Sequence, residues 1–125
     1  MRRLAASAER AALVSHFGDC VVATLRDDLD QAQFTSFRGE LLEAVRSQRA
    51  RGVVLDASAL EVVDTADFAR LRQTLEMVEL MGARTVLVGL KPDVVAALVE
   101  LGADIDGLAG ELTLEAGLAR VRSAR

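Results

Sequence analysis

Gly52-Val53-Val54-Leu55-Asp56-Ala57-Ser58-Ala59-Leu60-Glu61-Val62-Val63-Asp64-Thr65 is the stretch on which the reading of the fold turns. Val53 to Leu55 are apolar on consecutive positions, as in a central strand covered on both faces; a half-buried strand would alternate. Asp56 ends that strand, and a polar-apolar connection runs on to Val63. Asp64-Thr65-Ala66-Asp67 then opens a helix, with Phe68, Leu71, Leu75, Val78 and Met81 on one face. Asp64 is suited to cap that helix by accepting a bond from a free backbone N–H. Gly82 closes it.

The pattern repeats downstream. Thr85-Val86-Leu87-Val88 is another buried strand, and Gly89 to Pro92 is a turn into a third helix carrying Val94, Val95, Leu98 and Leu101. Gly102 ends that helix. Leu114 to Val121 reads as a short terminal helix, and only Ser123 to Arg125 as loose. Upstream, the apolar runs Ala11 to Val14 and Asp19 to Leu25 are divided by Phe17-Gly18-Asp19, which suggests a β-hairpin. Phe34, Phe37, Leu41, Leu42 and Val45 then form one face of a first helix, with Asp30 as its N-cap. Gly52 is read as the end of the exposed basic stretch Arg46 to Arg51.

The order is therefore β-β-α-β-α-β-α-(β)-α. Strands alternating with helices require a largely parallel sheet. The expected class is α/β, with a mixed central sheet opened by a hairpin and about four helices packed mainly on one face. The strands Val53–Leu55 and Thr85–Val88 lie parallel at its centre. A chain of 125 residues suits one domain.

Composition narrows the function. With 51% hydrophobic and 27% charged residues, the chain is that of a folded globular protein. It has four Phe, no Trp and no Tyr, and a net charge of −4. Stacking platforms are almost absent and the net charge is negative, so a nucleic-acid partner is not expected. Cys20 is the one cysteine and lies in the run Cys20-Val21-Val22-Ala23, where it reads as a small core residue. Met1-Arg2-Arg3 leads into no continuous apolar region, so no signal peptide is expected. No apolar run approaches the ~20 residues needed to span a bilayer, and the expected location is cytoplasmic, without a membrane partner.

Catalysis finds little support. His16 is the sole histidine, beside the hairpin turn and without a nucleophile motif around it. One His and one Cys cannot supply four zinc ligands, and neither a dinucleotide fingerprint nor a P-loop is present. The expectation is a non-enzyme with no metal and no cofactor. Asp56 at a strand end, with Lys91-Pro92 after another strand, offers an alternative, a receiver-like domain phosphorylated on Asp56. Its acidic pair is misplaced, because the first two strands end in Phe17-Gly18 and Leu25-Arg26. Asp27 and Asp28 are nearby, but they follow a hairpin strand.

Thr65 is the stronger candidate. As the first residue after a capping Asp64 it presents a hydroxyl at a helix N-terminus, and a phosphate there would face free N–H groups and the positive end of the helix dipole. It would add about −1.5 to −2 of charge beside Asp64 and Asp67. That surface could then repel a docked partner. Ser58, in the loop just after the strand, is the competing hydroxyl.

In its motifs the chain resembles a STAS domain, the fold of bacterial anti-sigma-factor antagonists, and within that group the RsbS-type scaffold subunits of the stressosome. The resemblance runs through Asp19-Cys20-Val21-Val22, Gly52-Val53-Val54-Leu55-Asp56, Val63-Asp64-Thr65, Leu80-Met81-Gly82-Ala83, Gly89-Leu90-Lys91-Pro92 and Val99-Glu100-Leu101-Gly102. It implies a single STAS domain over residues 1–125 that assembles with a sensor-type STAS paralogue, as a homo- or hetero-oligomer in a large complex. It also implies that a serine/threonine switch kinase is held until the residue at the position of Thr65 is phosphorylated, with Asp64, Thr65 and Asp67 on the partner-binding surface. RsbS-type proteins usually carry Ser there. The sensor paralogues carry Thr, an additional N-terminal domain, and a second phosphorylated Thr near the position of Ala97. The alternative within the family is a simple antagonist that binds a single anti-sigma factor.

Overall fold

The computed structural model describes residues 12–123. β1 (Ala12–Phe17) folds back on β2 (Cys20–Leu25) through Gly18-Asp19, with Phe17 opposite Cys20 and Ala12 opposite Leu25. Gly18 has φ 64°, as the first central residue of a tight hairpin turn requires. Then come α1 (Gln31–Gln48), β3 (Gly52–Asp56), α2 (Thr65–Leu80), β4 (Arg84–Val88), α3 (Pro92–Glu100), β5 (Gly110–Glu111) and α4 (Leu114–Ser123). The sheet runs β1-β2-β3-β4-β5 in space, antiparallel between β1 and β2 and parallel thereafter. The expected mixed α/β sheet is what forms.

Both faces of the sheet are covered, which accounts for the unbroken apolar run in β3. Val53 and Leu55 join Val21, Leu25 and Leu87 beneath α1, α2 and α3. Val54 points the other way, with Cys20, Val22, Val86 and Val88, beneath α4 and its Val121. Val53, Val54 and Leu55 have no exposed surface at all. α4 approaches the sheet closely because two glycines let it: a Cβ on Gly52 would lie 2.8 Å from Val121 Cγ2, and one on Gly117 would lie 2.5 Å from Val88 Cγ1.

The helix starts follow their caps. Asp30 Oδ1 accepts from the Gln33 N–H at 2.7 Å, while Gln33 Oε1 accepts from the Asp30 N–H at 3.0 Å. This reciprocal pair satisfies two otherwise free donors. α1 and α2 are joined by Arg38, whose Nε donates to Thr74 Oγ1 at 3.2 Å. Thr74 is fully buried and donates in turn to the Arg70 carbonyl at 2.8 Å. A hydroxyl in this apolar joint is tolerated because it is bonded on both sides.

Several expectations are corrected at the element ends. Gly52 does not end the basic stretch; α1 stops at Arg49, with φ 51°, and Gly52 is already the first residue of β3. Ala50, inside that stretch, is buried. Met81 and Leu101 are the C-caps of α2 and α3 and are 42% and 64% exposed, so neither belongs to the core. Ser123 belongs to α4 rather than to a loose tail. The apolar stripe in each case outlasts the length of helix that lies over the sheet. Ala11, Ala124 and Arg125 lie outside the described residues, as does the stretch Met1 to Arg10.

Candidate functional site

The site is the head of α2 and the loop that leads into it. Asp64 is extended, with φ −87° and ψ 174°, and its Oδ1 accepts from the Asp67 N–H at 2.7 Å. The Phe68 N–H closes the first turn on the Asp64 carbonyl at 3.0 Å. The N–H groups of Thr65 and Ala66 are left without a helical partner, as at any helix start. Thr65 is exposed, and no side-chain hydrogen bond engages its hydroxyl among the described residues. Asp67 is half-buried and pairs with Arg70 Nη1 at 3.0 Å. Asp64, Thr65 and Asp67 are thus brought together on one helix end.

The loop before them is tied down from several sides. The Ala57 N–H donates to the Val88 carbonyl at 2.8 Å, and the Glu61 N–H donates to Asp27 Oδ1 at 3.3 Å. Lys91 Nζ donates to the Ser58 carbonyl at 2.7 Å and lies 3.3 Å from Glu61 Oε2. Gly89, with φ 78°, sits against Ser58. Ser58 is exposed, but its backbone is held in a tight turn by Asp56 Oδ1, which accepts from the Ser58 N–H at 3.0 Å. Ser58 therefore stands in the braced loop, away from the free N–H groups of a helix start.

Asp56 and Lys91, the pair that suggested a receiver, have other partners: Asp56 holds a turn, while Lys91 holds loop carbonyls and Glu61. Among the described residues no group of three His, Cys, Asp or Glu side chains is placed to hold a metal ion. His16 lies exposed on β1, and Cys20 is buried beneath α4. No helix among the described residues is long and apolar enough to cross a membrane.

Beside Asp67 a groove of about 140 Å³ runs between the β2–α1 connection and the head of α2, lined by Leu25, Asp27, Phe34, Val63 and Arg70 among others. Val62, just before the capping Asp64, is 82% exposed. An exposed hydroxyl, an exposed valine and an acidic rim thus stand side by side on this surface. The sequence places Gly89 and Lys91 in a turn, and Lys91 in the receiver-like alternative, but does not reveal that both brace Ser58. Both stand in a recognisable turn motif, but their partners lie more than thirty residues earlier, at 31 and 33 positions for Lys91.

Residues 11–113 match the STAS domain family. The chain is similar to a solved RsbS variant of Moorella thermoacetica, with 35% identity and a TM-score of 0.78 over 90% of this chain and 95% of that one. It is also similar to a chain in the solved architecture of the stressosome, a signal integration and transduction hub. There the identity is 32% and the TM-score 0.72, covering 89% of this chain and 96% of that one. RsbRA of Bacillus subtilis strain 168, an RsbT co-antagonist protein, is 28% identical over 118 residues. That match takes in 94% of this chain but 43% of RsbRA, so the chain spans less than half the length of that curated relative. With its five-stranded mixed sheet in the same fold as these solved neighbours, the chain belongs to the STAS domain family.

Proposed function

We propose that this chain, as one STAS domain over residues 1–125, is a non-catalytic scaffold and switch subunit of a stressosome-type complex in the cytoplasm. The observation that carries the reading is Thr65: an exposed hydroxyl on the first residue of α2, directly after the capping Asp64. Similarity to RsbS and to a stressosome chain over nearly their whole lengths supports the setting. Unmodified, the protein assembles with a sensor-type STAS paralogue and holds a serine/threonine switch kinase. Phosphorylation of Thr65 releases that kinase.

The physics of the switch is local. A phosphate on Thr65 adds about −1.5 to −2 of charge. The unpaired N–H groups of Thr65 and Ala66 and the helix dipole stabilise it within the domain. A partner docked on the same surface meets that charge together with the carboxylates of Asp64 and Asp67. Folding is preserved while docking is weakened.

Incubation of the purified chain with a switch-type serine/threonine kinase and ATP, followed by mass-spectrometric mapping, tests the assignment. Acid-stable phosphate on Thr65 is expected. Phosphate on Ser58, or acid-labile phosphate on Asp56, with Thr65 unmodified would overturn it. Size-exclusion chromatography with the sensor paralogue tests the scaffold: a very large assembly is expected, and a small complex with one anti-sigma factor would favour the simple antagonist.

A further inference from the structure

The parallel strands β2, β3 and β4 all begin at the end of the sheet opposite the loop that carries Asp64, and arginines gather there. Arg51 stands immediately before β3, Arg84 is the first residue of β4, and Arg122 lies in the last turn of α4. They meet around a cavity of about 240 Å³ whose lining also includes Asp19 and Cys20. In a chain of net charge −4 this is a local excess of the opposite sign.

Main-chain bonds fix the roots of the cluster. The Arg51 N–H donates to the Asp19 carbonyl at 2.8 Å, and the Arg84 N–H donates to the Arg51 carbonyl at 2.9 Å. Arg122 hydrogen-bonds to the Cys20 sulfur. All three arginines are exposed. Among the described residues neither Arg51 nor Arg84 has an ion pair or a side-chain hydrogen bond. A helix dipole rewards a basic residue in its last turn, which accounts for Arg122. That account does not reach Arg51 and Arg84, which open strands.

We propose that this cavity binds a small phosphomonoester through its phosphoryl group. Three guanidinium groups and one carboxylate leave the cavity two positive charges in excess. A phosphoryl group carries about −1.5 to −2 of charge and three strong acceptor oxygens, so one such group cancels that excess. A carboxylate would leave half of it standing. Guanidinium forks donate paired bonds to phosphate oxygens and stay charged at every physiological pH. The remainder of the 240 Å³ takes the group that carries the phosphate. The site lies at the far end of the sheet from Thr65 and does not depend on the switch.

Nuclear magnetic resonance titrations of the full chain with inorganic phosphate, phenyl phosphate and acetate test this. Phosphate should shift the amides of Cys20, Arg51 and Arg84 saturably, with a Kd of about 1 mM. Phenyl phosphate should bind at least as tightly, and acetate about tenfold more weakly. Arg51→Gln and Arg84→Gln each remove a charged donor from an exposed position. Each should weaken phosphate about tenfold with an unchanged circular dichroism spectrum, while Arg26→Gln at the other end of the sheet changes nothing. Shifts that fail to saturate, or that spread equally to Arg26, would overturn the proposal. So would acetate binding as tightly as phosphate, or a folded Arg51→Gln, Arg84→Gln double variant that binds like wild type. If that variant does not fold, the map of shifts on the native chain decides.

Discussion

Gly89 presses its backbone against Ser58, so closely that a Cβ built on it would lie 2.8 Å from the Ser58 Cβ. Two residues on, Lys91 Nζ holds the Ser58 carbonyl at 2.7 Å. The loop that delivers Asp64 and Thr65 is thus positioned by the turn after β4. Gly89→Ala combines a steric clash with a left-handed φ of 78° and should cost about 1–3 kcal/mol. Urea denaturation measures this directly. An unshifted midpoint would show that the loop yields freely.

Gly117 and Gly39 make a matched pair within helices. Gly117→Ala would put its Cβ 2.5 Å from Val88 Cγ1, whereas nothing lies within 4 Å of a Cβ on Gly39. Better helix propensity, worth up to about 1 kcal/mol, favours alanine at both positions. Gly39→Ala should therefore raise stability by about 0.5–1 kcal/mol, while overpacking under α4 makes Gly117→Ala destabilising by about 1–3 kcal/mol. Thermal melts of the two variants should move in opposite directions.

Leu75 tests how α2 is seated. It is 2% exposed, within the core cluster that α1, α2 and α3 share with the sheet. Leu75→Ala should cost about 2–5 kcal/mol, because that cluster can collapse only partly around the lost atoms. A denaturation curve unchanged by the substitution would place the wrong face of α2 against the sheet.

Burial pushes the Cys20 thiol above its ordinary 9.0, and a hydrogen bond from Arg122 opposes that rise. The folded state keeps the thiol proton to higher pH than the unfolded state does. Its contribution to stability is therefore complete below pH 9.0 and lost as the pH climbs through the raised value. Wild type should lose more stability than Cys20→Ala between urea titrations run below and above pH 9.0. Equal losses would show that the thiol titrates alike in both states.

Thr65→Ala removes the hydroxyl from an exposed first helical position and should leave the fold and kinase binding intact while blocking release. Thr65→Asp adds one charge where a phosphate adds about −1.5 to −2, so it should weaken kinase binding by less than phosphorylation does. Raising salt should shrink both effects, since exposed charges are screened over about 8 Å at physiological ionic strength. Titration calorimetry against the kinase separates these cases. Thr65→Asp binding as tightly as wild type would sink the electrostatic account of release.

Local signals in the chain were enough to read its elements. Asp30 and Asp64 announce helix starts because a short acidic side chain satisfies N–H donors within three residues of itself. Val53 to Leu55 announce a strand covered on both faces, and the Gly18-Asp19 turn announces the hairpin. Thr65 was legible for the same reason: a helix cap is a local structure. Met81 and Leu101 were misread because periodicity reports a stripe along the helix and not where the sheet beneath it ends.

By itself, then, the sequence determined the order of elements, their caps, and the hydroxyl at the head of α2, all of which depend on neighbours within a few residues. Only the tertiary structure decided that α4 covers the second face, that Gly52 receives Val121, and that Gly89 and Lys91 brace Ser58. An apolar helix face states that something must be buried without stating against what. Those choices come from packing between residues far apart in the chain, where complementary shape rather than local pattern selects the partner.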